Sequence, residues 1–182
     1  MNAPAPDPAT VVDFWREAGH ERWFRKDEAF DRAFRDRFLA WHEQAAAGGL
    51  DGWLETAPGC LALAILLDQF PRNAFRGTTR MYATDAKARA VARHAVDRGF
   101  DADTPEALRN FLYLPFMHSE DLADLERCVA LTAHLGGESH RYAQHHRDVI
   151  RRFGRFPHRN ALLGRASTPD EAQFLAEGGF AG

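Results

Sequence analysis

The chain has 182 residues, of which 45% are hydrophobic, so it is long and apolar enough to enclose one continuous core. Its formal net charge is -3, and this excess of acidic residues excludes a general polyanion binder, because binding to a phosphate backbone depends on a surplus of Lys and Arg. We therefore expect no nucleic-acid partner.

The first predicted elements are a flexible segment and two helices. Residues 1–10 are rich in proline, which favours a flexible N-terminus. Residues 11–18 read as a short helix that Gly19 stops. Residues 27–47 place apolar side chains three and four positions apart, and Gly48 follows them. This spacing predicts a long amphipathic helix with one packed face and one solvated face.

The most apolar segment is predicted to be the central helix. Residues 60–70 are hydrophobic on all sides, and Pro71 is expected to end the helix they form. Thr84 suits the N-cap of the next helix, and Gly99 is placed to end that helix in the left-handed conformation.

Four further helices are predicted beyond residue 100. Thr104 precedes the first of them, which Pro115 is expected to interrupt. Ser119 suits the N-cap of the second, and residues 138–153 form the third. Thr168 begins a sequence typical of a capping box, which opens the last helix.

The fold class predicted from these elements is all-α. No segment shows the strict alternation of apolar and polar residues that is typical of a β-strand. Short connections between about seven or eight amphipathic helices favour antiparallel neighbours. We expect one helical domain over residues 11–182, packed as antiparallel hairpins.

Cysteine content and hydropathy indicate a cytoplasmic protein. Cys60 and Cys128 lie in apolar helical surroundings, which are typical of reduced, buried thiols rather than of a disulfide framework. The longest apolar run, residues 60–67, is too short to span a bilayer. We expect a cytoplasmic location and no membrane partner.

Polar side chains that end the central helix form the first candidate site. Asp68 lies near the C-terminal end of that helix, where the helix dipole disfavours an anion, so it needs a cationic partner. Arg72 and Arg76 are close enough in sequence for a charge-assisted pair, and Asn73 lies between them. The group is either a structural ion pair or part of a ligand site.

A second group follows the apolar residues 111–117. His118 and Glu120 combine an imidazole with a carboxylate, which suits proton transfer because an imidazole titrates near neutral pH. Ser119, Glu120 and Asp121 also suit an ordinary helix N-terminus, so capping is the alternative interpretation.

The densest cationic segment runs from Arg141 to Arg165, where seven arginines stand against one acidic residue, Asp148. Glycines and a proline place part of it in turns, where backbone N–H groups also bind oxyanions. The ligand-binding candidates here are Arg152, Arg155, Arg159 and Asn160, and the catalytic candidate is His158. The alternative is that these arginines pair with internal acids, at Asp68, Glu120, Asp121 and Asp124.

Motifs for nucleotides, cofactors and metals are missing from the sequence. There is no Walker loop, no dinucleotide fingerprint, no serine-hydrolase elbow and no zinc motif. His145 and His146 point in different directions around a helix, and His146 shares its apolar stripe, so we expect His146 to be a hydrogen-bonded core residue. We predict no cofactor and no metal site.

Five blocks of sequence carry a resemblance to a known family. They are WFRKDEAFD at 23–31, LDQFPRNAFRGT at 67–78, YATDAKA at 82–88, FLYLPFMHSED at 111–121 and RFGRFPHRNALLGRAST at 152–168. On these blocks the chain resembles the bacterial family called domain of unknown function 924. The resemblance implies an all-helical fold similar to tetratricopeptide-like hairpins. It implies no established activity and no catalytic or binding residue.

Three interpretations of these residues stay open. In the first, side chains from three segments converge on a pocket for a small phosphate- or carboxylate-bearing ligand: Asp68, Arg72, Asn73, His118, Glu120, Arg155, His158 and Arg159. His118 or His158 would then move a proton. In the second, the chain is a helical module that binds a protein or peptide segment. In the third, the arginines and acids are purely architectural.

Overall fold

The computed structural model describes residues 5–180, and every regular element in that range is helical. The α-helices in chain order are α1 Pro8–Ala18, α2 His20–Trp23, α3 Glu28–Ala47, α4 Ala57–Ala64, α5 Phe70–Ala74, α6 Asp85–Asp97, α7 Glu106–Met117, α8 Leu122–Thr132, α9 Gly137–Phe153 and α10 Pro169–Ala176. A π-helix, Ile65–Gln69, joins α4 to α5. Short 3-10 turns lie at Asp51–Glu55, Thr79–Tyr82 and Pro157–Arg159. The predicted all-α class is confirmed.

The described residues group into two compact units. The first contains residues 5–76 and 80–115, and the second contains residues 77–79 and 116–180. Helices α1 to α6 belong to the first unit, and α8 to α10 belong to the second. None of the helices within residues 5–180 is long and apolar enough to cross a membrane.

The N-terminal boundary of the helical part differs from the prediction. Helix α1 begins at Pro8 rather than at Val11, because Asp7 caps it by accepting a hydrogen bond from the backbone N–H of Ala9. The last residues of the segment predicted to be flexible are therefore helical. Residues 1–4 of that segment lie outside the described residues, as do residues 181–182 of the predicted domain.

Aromatic side chains packed edge to face or at a tilt form much of the core of the first unit. Trp15 on α1 is fully buried, and its ring lies 5.3 Å from that of Phe34 on α3 and 5.3 Å from that of Phe111 on α7. Phe34 also meets Phe70 of α5 edge to face at 5.1 Å. Each such ring removes on the order of 150 Å² or more from water, so these contacts fix the packing of the helices in this unit.

Pro71 does not end the central helix, which continues to Ala74. In the π-helix the backbone N–H of Phe70 donates to the carbonyl of Ile65 instead of to that of Leu66. The carbonyl of Leu66 accepts a 2.8 Å hydrogen bond from Nδ1 of His42. In an α-helix the carbonyl of the next residue, Leu67, would accept a hydrogen bond from the backbone N–H of residue 71. Pro71 has no N–H, so this bond is missing.

The carbonyl that faces Pro71 is that of Leu67, and it accepts a 2.6 Å hydrogen bond from the hydroxyl of Thr84. Side chains from α3 and from the start of α6 thus replace the two backbone bonds that the π-helix and the proline remove. The prediction that Pro71 stops the helix is wrong for this reason.

Two other predicted helix ends also differ. Pro115 lies inside α7, which continues to Met117, because a proline in the last turn removes only one backbone donor. The N-cap of α8 is Asp121, whose carboxylate accepts from the N–H of Ala123, and not Ser119. Ser119 instead accepts from the N–H of Asp121 and donates to the carboxylate of Asp124 at 2.8 Å.

The second unit is built on an antiparallel helical hairpin. Helix α9 turns back along α8, so that Arg151 near the end of α9 reaches Glu126 in the middle of α8, and His140 near the start of α9 reaches Thr132 at the end of α8. Its apolar core consists of Leu125, Val149, Ile150 and Phe156, against which Phe153, Phe174 and Phe180 pack. The segment between α9 and α10 contributes Phe156 to this core, and it carries Arg155, Arg159 and Arg165 of the cationic segment.

Candidate functional site

The predicted site residues divide between the two units. Asp68, Arg72 and Asn73 lie in the first unit. The others lie in the second unit: His118, Glu120, Arg152, Arg155, His158, Arg159 and Asn160. The hydrogen bonds described below for each group join residues of the same unit.

Asp68 and Arg72 form a buried ion pair in the first unit. Asp68 is fully buried, and its Oδ1 lies 3.1 Å from Nη1 of Arg72. The same guanidinium bonds both carboxylate oxygens of Asp85, at 2.9 and 3.1 Å, and the backbone carbonyl of Asp68 at 2.8 Å. Burial works to lower the pKa of Arg72, but the charges of Asp68 and Asp85 outweigh it and raise that pKa. The predicted pair is confirmed, and it has a second carboxylate.

Asn73 joins a neighbouring network rather than the Asp68 pair. Its Nδ2 donates to Asp31 at 2.7 Å, and Arg76 donates to the other oxygen of the same carboxylate at 2.6 Å. Asp31 projects from α3, so these bonds tie the end of α5 to α3. Arg76, the other candidate partner of Asp68, is therefore paired with Asp31.

Arg155 is held by a buried glutamate in the second unit. Its Nε and Nη2 donate to the two carboxylate oxygens of Glu171, at 2.6 and 2.8 Å, and Glu171 is only 2% exposed. Glu171 also completes the predicted capping box of α10, because its carboxylate accepts from the N–H of Thr168. These hydrogen bonds, above all those from Arg155, lower the pKa of Glu171 to about 2.

Asn160 and Arg165 extend the same network to Glu120. Asn160 donates to Glu171 at 3.2 Å and accepts from Nε of Arg165 at 3.0 Å. Arg165 then binds both oxygens of Glu120, at 2.7 and 2.9 Å, and the N–H of Phe156 adds a 2.8 Å bond to that carboxylate. Burial works to raise the pKa of Glu120, but the bonds from Arg165 and Phe156 outweigh it and lower that pKa.

The donors of this network are directed at internal carboxylates. Arg155 and Arg165 each make a bidentate pair with a glutamate, an arrangement that favours a fixed geometry. Arg152 has no such pair among the described residues, and its guanidinium lies 4.6 Å from the ring centre of Phe153 on the exposed side of α9. Of the internal acids predicted as partners, Glu120 pairs with Arg165, whereas Arg155 pairs with Glu171, which was not among them.

A different environment surrounds His158 and Arg159. Arg159 is 7% exposed, donates to the backbone carbonyl of His118 at 3.0 Å and lies over the ring of Phe156. The Nδ1 atom of His158 is buried, and no residue within 5–180 gives it a hydrogen bond. An unpaired buried polar atom costs free energy, so a group that hydrogen-bonds to this nitrogen would stabilise the folded chain.

Three imidazoles influence one another here. Burial, followed by the charge of Arg159, lowers the pKa of His158 to about 4. Burial, followed by the proximity of His118, lowers the pKa of His146 to about 3, although the Nδ1 of His146 donates to the carbonyl of Tyr142. Both rings are therefore neutral at pH 7. The prediction that His146 is a hydrogen-bonded core residue is confirmed.

Sequence reasoning missed the acids that complete these networks. Asp85, Asp31 and Glu171 stand 13, 42 and 16 positions from the side chains they pair with. Of these three acids, only Glu171 belongs to a recognisable sequence pattern, the capping box. That pattern predicts its bond to Thr168 but not its pair with Arg155. Within residues 5–180 no cluster of three or more His, Cys, Asp or Glu side chains has the geometry to hold a metal ion.

The comparisons with other proteins agree with the fold. A family model described as a bacterial protein of unknown function, DUF924, matches residues 11–179. The chain belongs to the DUF924 family. The resemblance predicted from the five sequence blocks is thus confirmed, and those blocks contain Asp68, Arg72 and the His158–Arg159 pair.

A solved structure of a protein of unknown function from Agrobacterium tumefaciens shares this fold. It is 55% identical to the chain, covers 93% of this chain and 97% of that one, and has a TM-score of 0.92. No curated protein matches the chain. DUF924 membership therefore supplies the fold, and the site has to be argued from its own chemistry.

Proposed function

We propose that the second unit binds a small molecule that carries an anionic group, phosphate or carboxylate, beside His158 and Arg159. The observation that carries this proposal is the buried Nδ1 of His158, which lacks a hydrogen-bond partner among residues 5–180 next to a buried guanidinium. A ligand that hydrogen-bonds to this nitrogen removes the cost of leaving it unpaired. The adjacent positive charge favours a ligand of negative charge.

The proposed site has fewer ligand-binding residues than the pocket predicted from the density of arginines. Arg155 and Asn160 contact Glu171, so their role in it is to fix the loop that carries His158 and Arg159. The recognition groups are then the neutral imidazole and the guanidinium of Arg159. Such support of a binding group by a rigid network is how proteins hold a site in its productive geometry.

The same arrangement suits acid–base chemistry. An imidazole whose pKa is lowered to about 4 is unprotonated at pH 7, and the negative charge of a bound anion would raise that pKa toward the range in which the ring takes up a proton. His118, whose carbonyl accepts from Arg159, lies close enough to affect the pKa of His158 and is the second candidate for proton transfer. We propose a cytoplasmic location, where reduced thiols such as those of Cys60 and Cys128 persist.

A thermal-shift screen tests this function. Inorganic phosphate, acetate and succinate are each compared with sodium chloride at equal ionic strength. A ligand that binds only the folded protein raises the melting temperature by mass action, and the rise should be lost in His158→Gln and Arg159→Leu. The control is Arg141→Gln, which removes an arginine that is 74% exposed. Equal shifts in all variants, or none with any anion, contradict the proposal.

A cleft in the first unit favours a second candidate function, the binding of a peptide segment. The cleft has a volume of about 440 Å³. Its lining is Phe14, Glu17, Ala18, Arg22, Asp27, Ala29, Phe30 and Ala33. Apolar side chains line it together with two carboxylates and one guanidinium, so we propose an apolar peptide side chain flanked by Lys or Arg as its occupant. The tetratricopeptide-like arrangement that the sequence resemblance implies belongs to this second proposal.

The peptide proposal has a direct test. Ala33 is exposed on α3, so Ala33→Trp fills the cleft without disturbing the core, and Ala40→Trp places the same ring on an exposed position of that helix outside the cleft. Fluorescence anisotropy with peptides that pair a Phe or Leu with Lys should show binding that Ala33→Trp abolishes and Ala40→Trp keeps. Binding that both variants retain would place the peptide elsewhere.

A further inference from the structure

The segment that follows α10 makes a defined turn. Gly178 has a φ of 82° in the left-handed region, and its N–H donates to the carbonyl of Leu175. The N–H of Gly179 donates to the carbonyl of Phe174 at 2.9 Å. These two bonds are those of a Schellman motif, in which a glycine reverses the chain direction at the end of a helix.

The second glycine of this turn is also required by space. A Cβ atom at Gly179 would lie 2.5 Å from the carbonyl oxygen of Phe174 and 2.6 Å from its ring. No side chain fits there without a shift of the backbone, so both glycines are needed for the chain to return toward the second unit's core. The turn thus fixes the position of the next residue, Phe180.

The ring of Phe180 lies against three histidines. Its centre is 4.3 Å from that of His146, 5.0 Å from that of His158 and 5.8 Å from that of His145. The ring of Phe156, which is fully buried, completes this aromatic group at 6.2 Å. Phe180 therefore occupies the surface directly over the imidazole that the proposed function uses.

Among residues 5–180, Phe180 makes its contacts through its ring. Its backbone makes no hydrogen bond to residues 5–180, and its side chain is partly exposed, in contrast to the buried Phe156. The segment is anchored up to Gly179 and then depends on apolar contacts. Elements with few backbone hydrogen bonds and limited burial are those that open locally at low cost.

We propose that Phe180 is a displaceable aromatic cover over His158, and that the Gly178–Gly179 turn holds it in the closed position. The closed ring keeps water from His158 and His146, in agreement with the burial that lowers the pKa of both. A ligand reaches His158 when the ring swings away. The role of Phe180 as a gate for a ligand rests on the proposed function, whereas its role as a cover over His158 does not.

Chemical labelling tests the cover without a ligand. Diethyl pyrocarbonate modifies accessible, unprotonated imidazoles, and peptide mass spectrometry reports the rate at His158 and His146 separately. Phe180→Ala should raise the rate at both, and Phe180→Leu, which keeps an apolar side chain, should restore most of the protection. Leu163→Ala, which removes another partly exposed apolar side chain, is the control and should leave the rates unchanged. Wild-type rates in Phe180→Ala overturn the proposal.

A phosphate titration separates the cover from the proposed function. If the cover and the proposed function are both correct, Phe180→Ala binds inorganic phosphate more tightly than the wild-type chain, because phosphate no longer has to displace the ring of Phe180. Faster labelling with no phosphate binding to either chain supports the cover and contradicts phosphate as the ligand. Unchanged labelling together with phosphate binding that His158→Gln abolishes overturns the cover and supports the function.

Discussion

The buried imidazole of His146 predicts a loss of stability in mild acid. Its pKa is lowered from 6.5 to about 3 in the folded chain, first by burial. The unfolded chain therefore takes up a proton below pH 6.5 that the folded chain refuses until near pH 3. The contribution of His146 to stability is complete above pH 6.5 and falls as the pH drops through the window between these two values.

The size of this effect follows from linkage. One pKa unit corresponds to about 1.4 kcal/mol, so going from pH 8 to pH 5 removes roughly 2 kcal/mol of folding free energy through His146 alone. That is a large part of a typical total of about 5–15 kcal/mol. His158 adds to the loss in the same direction, with a smaller contribution because its ring is partly exposed.

Urea denaturation of the wild-type chain and of His146→Asn at pH 8 and pH 5 measures this term. Asparagine keeps a donor at the position of Nδ1 for the carbonyl of Tyr142 and does not titrate. The variant is less stable at pH 8, because it loses the ring contact with Phe180, but its loss between the two pH values should be about 2 kcal/mol smaller. Arg141→Gln, on the same helix, keeps the wild-type loss. Equal losses in wild type and His146→Asn refute the reasoning.

Three further predictions concern the ion pairs and the thiols. Arg72→Met leaves two carboxylates around a buried apolar side chain, so urea denaturation should show a loss of about 3–5 kcal/mol. Arg155→Met strands the carboxylate of Glu171 and lowers the melting temperature, whereas the double variant with Glu171→Met should recover part of the loss; no recovery would mean that the pair itself is not the cause. Burial raises the pKa of Cys60 to about 11 and that of Cys128 to about 12, so a disulfide reagent at pH 8 should label them only in denaturant, and rapid labelling of the native chain would contradict their burial.

Local signals predicted the helices well. Asp27 and Gly48 bound α3 as expected, and Thr168 forms the capping box of α10. Caps and hydrophobic spacing act over a few residues, so they are visible in one sequence. The π-helix was not visible, because the reason Pro71 is tolerated is a pair of side-chain bonds from His42 and Thr84, which are distant along the chain.

The pairings among the candidate site residues were not predictable from the sequence. The cation density drew attention to Arg155, Arg159 and His158 together, and only the tertiary structure separates them. Arg155 contacts Glu171, whereas the Nδ1 of His158 has no partner within residues 5–180. Which arginine meets an internal carboxylate depends on packing between elements, and no spacing rule encodes that.

Nuclear magnetic resonance of the histidine ring nitrogens during a phosphate titration tests the central claim most directly. The claim is that an anionic ligand binds beside His158 and Arg159. It predicts a saturable change in the ring resonances of His158 that disappears in Arg159→Leu and persists in Arg141→Gln. A titration in which His158 does not respond, or responds no more than the exposed ring of His20 in the first unit and without saturation, contradicts it.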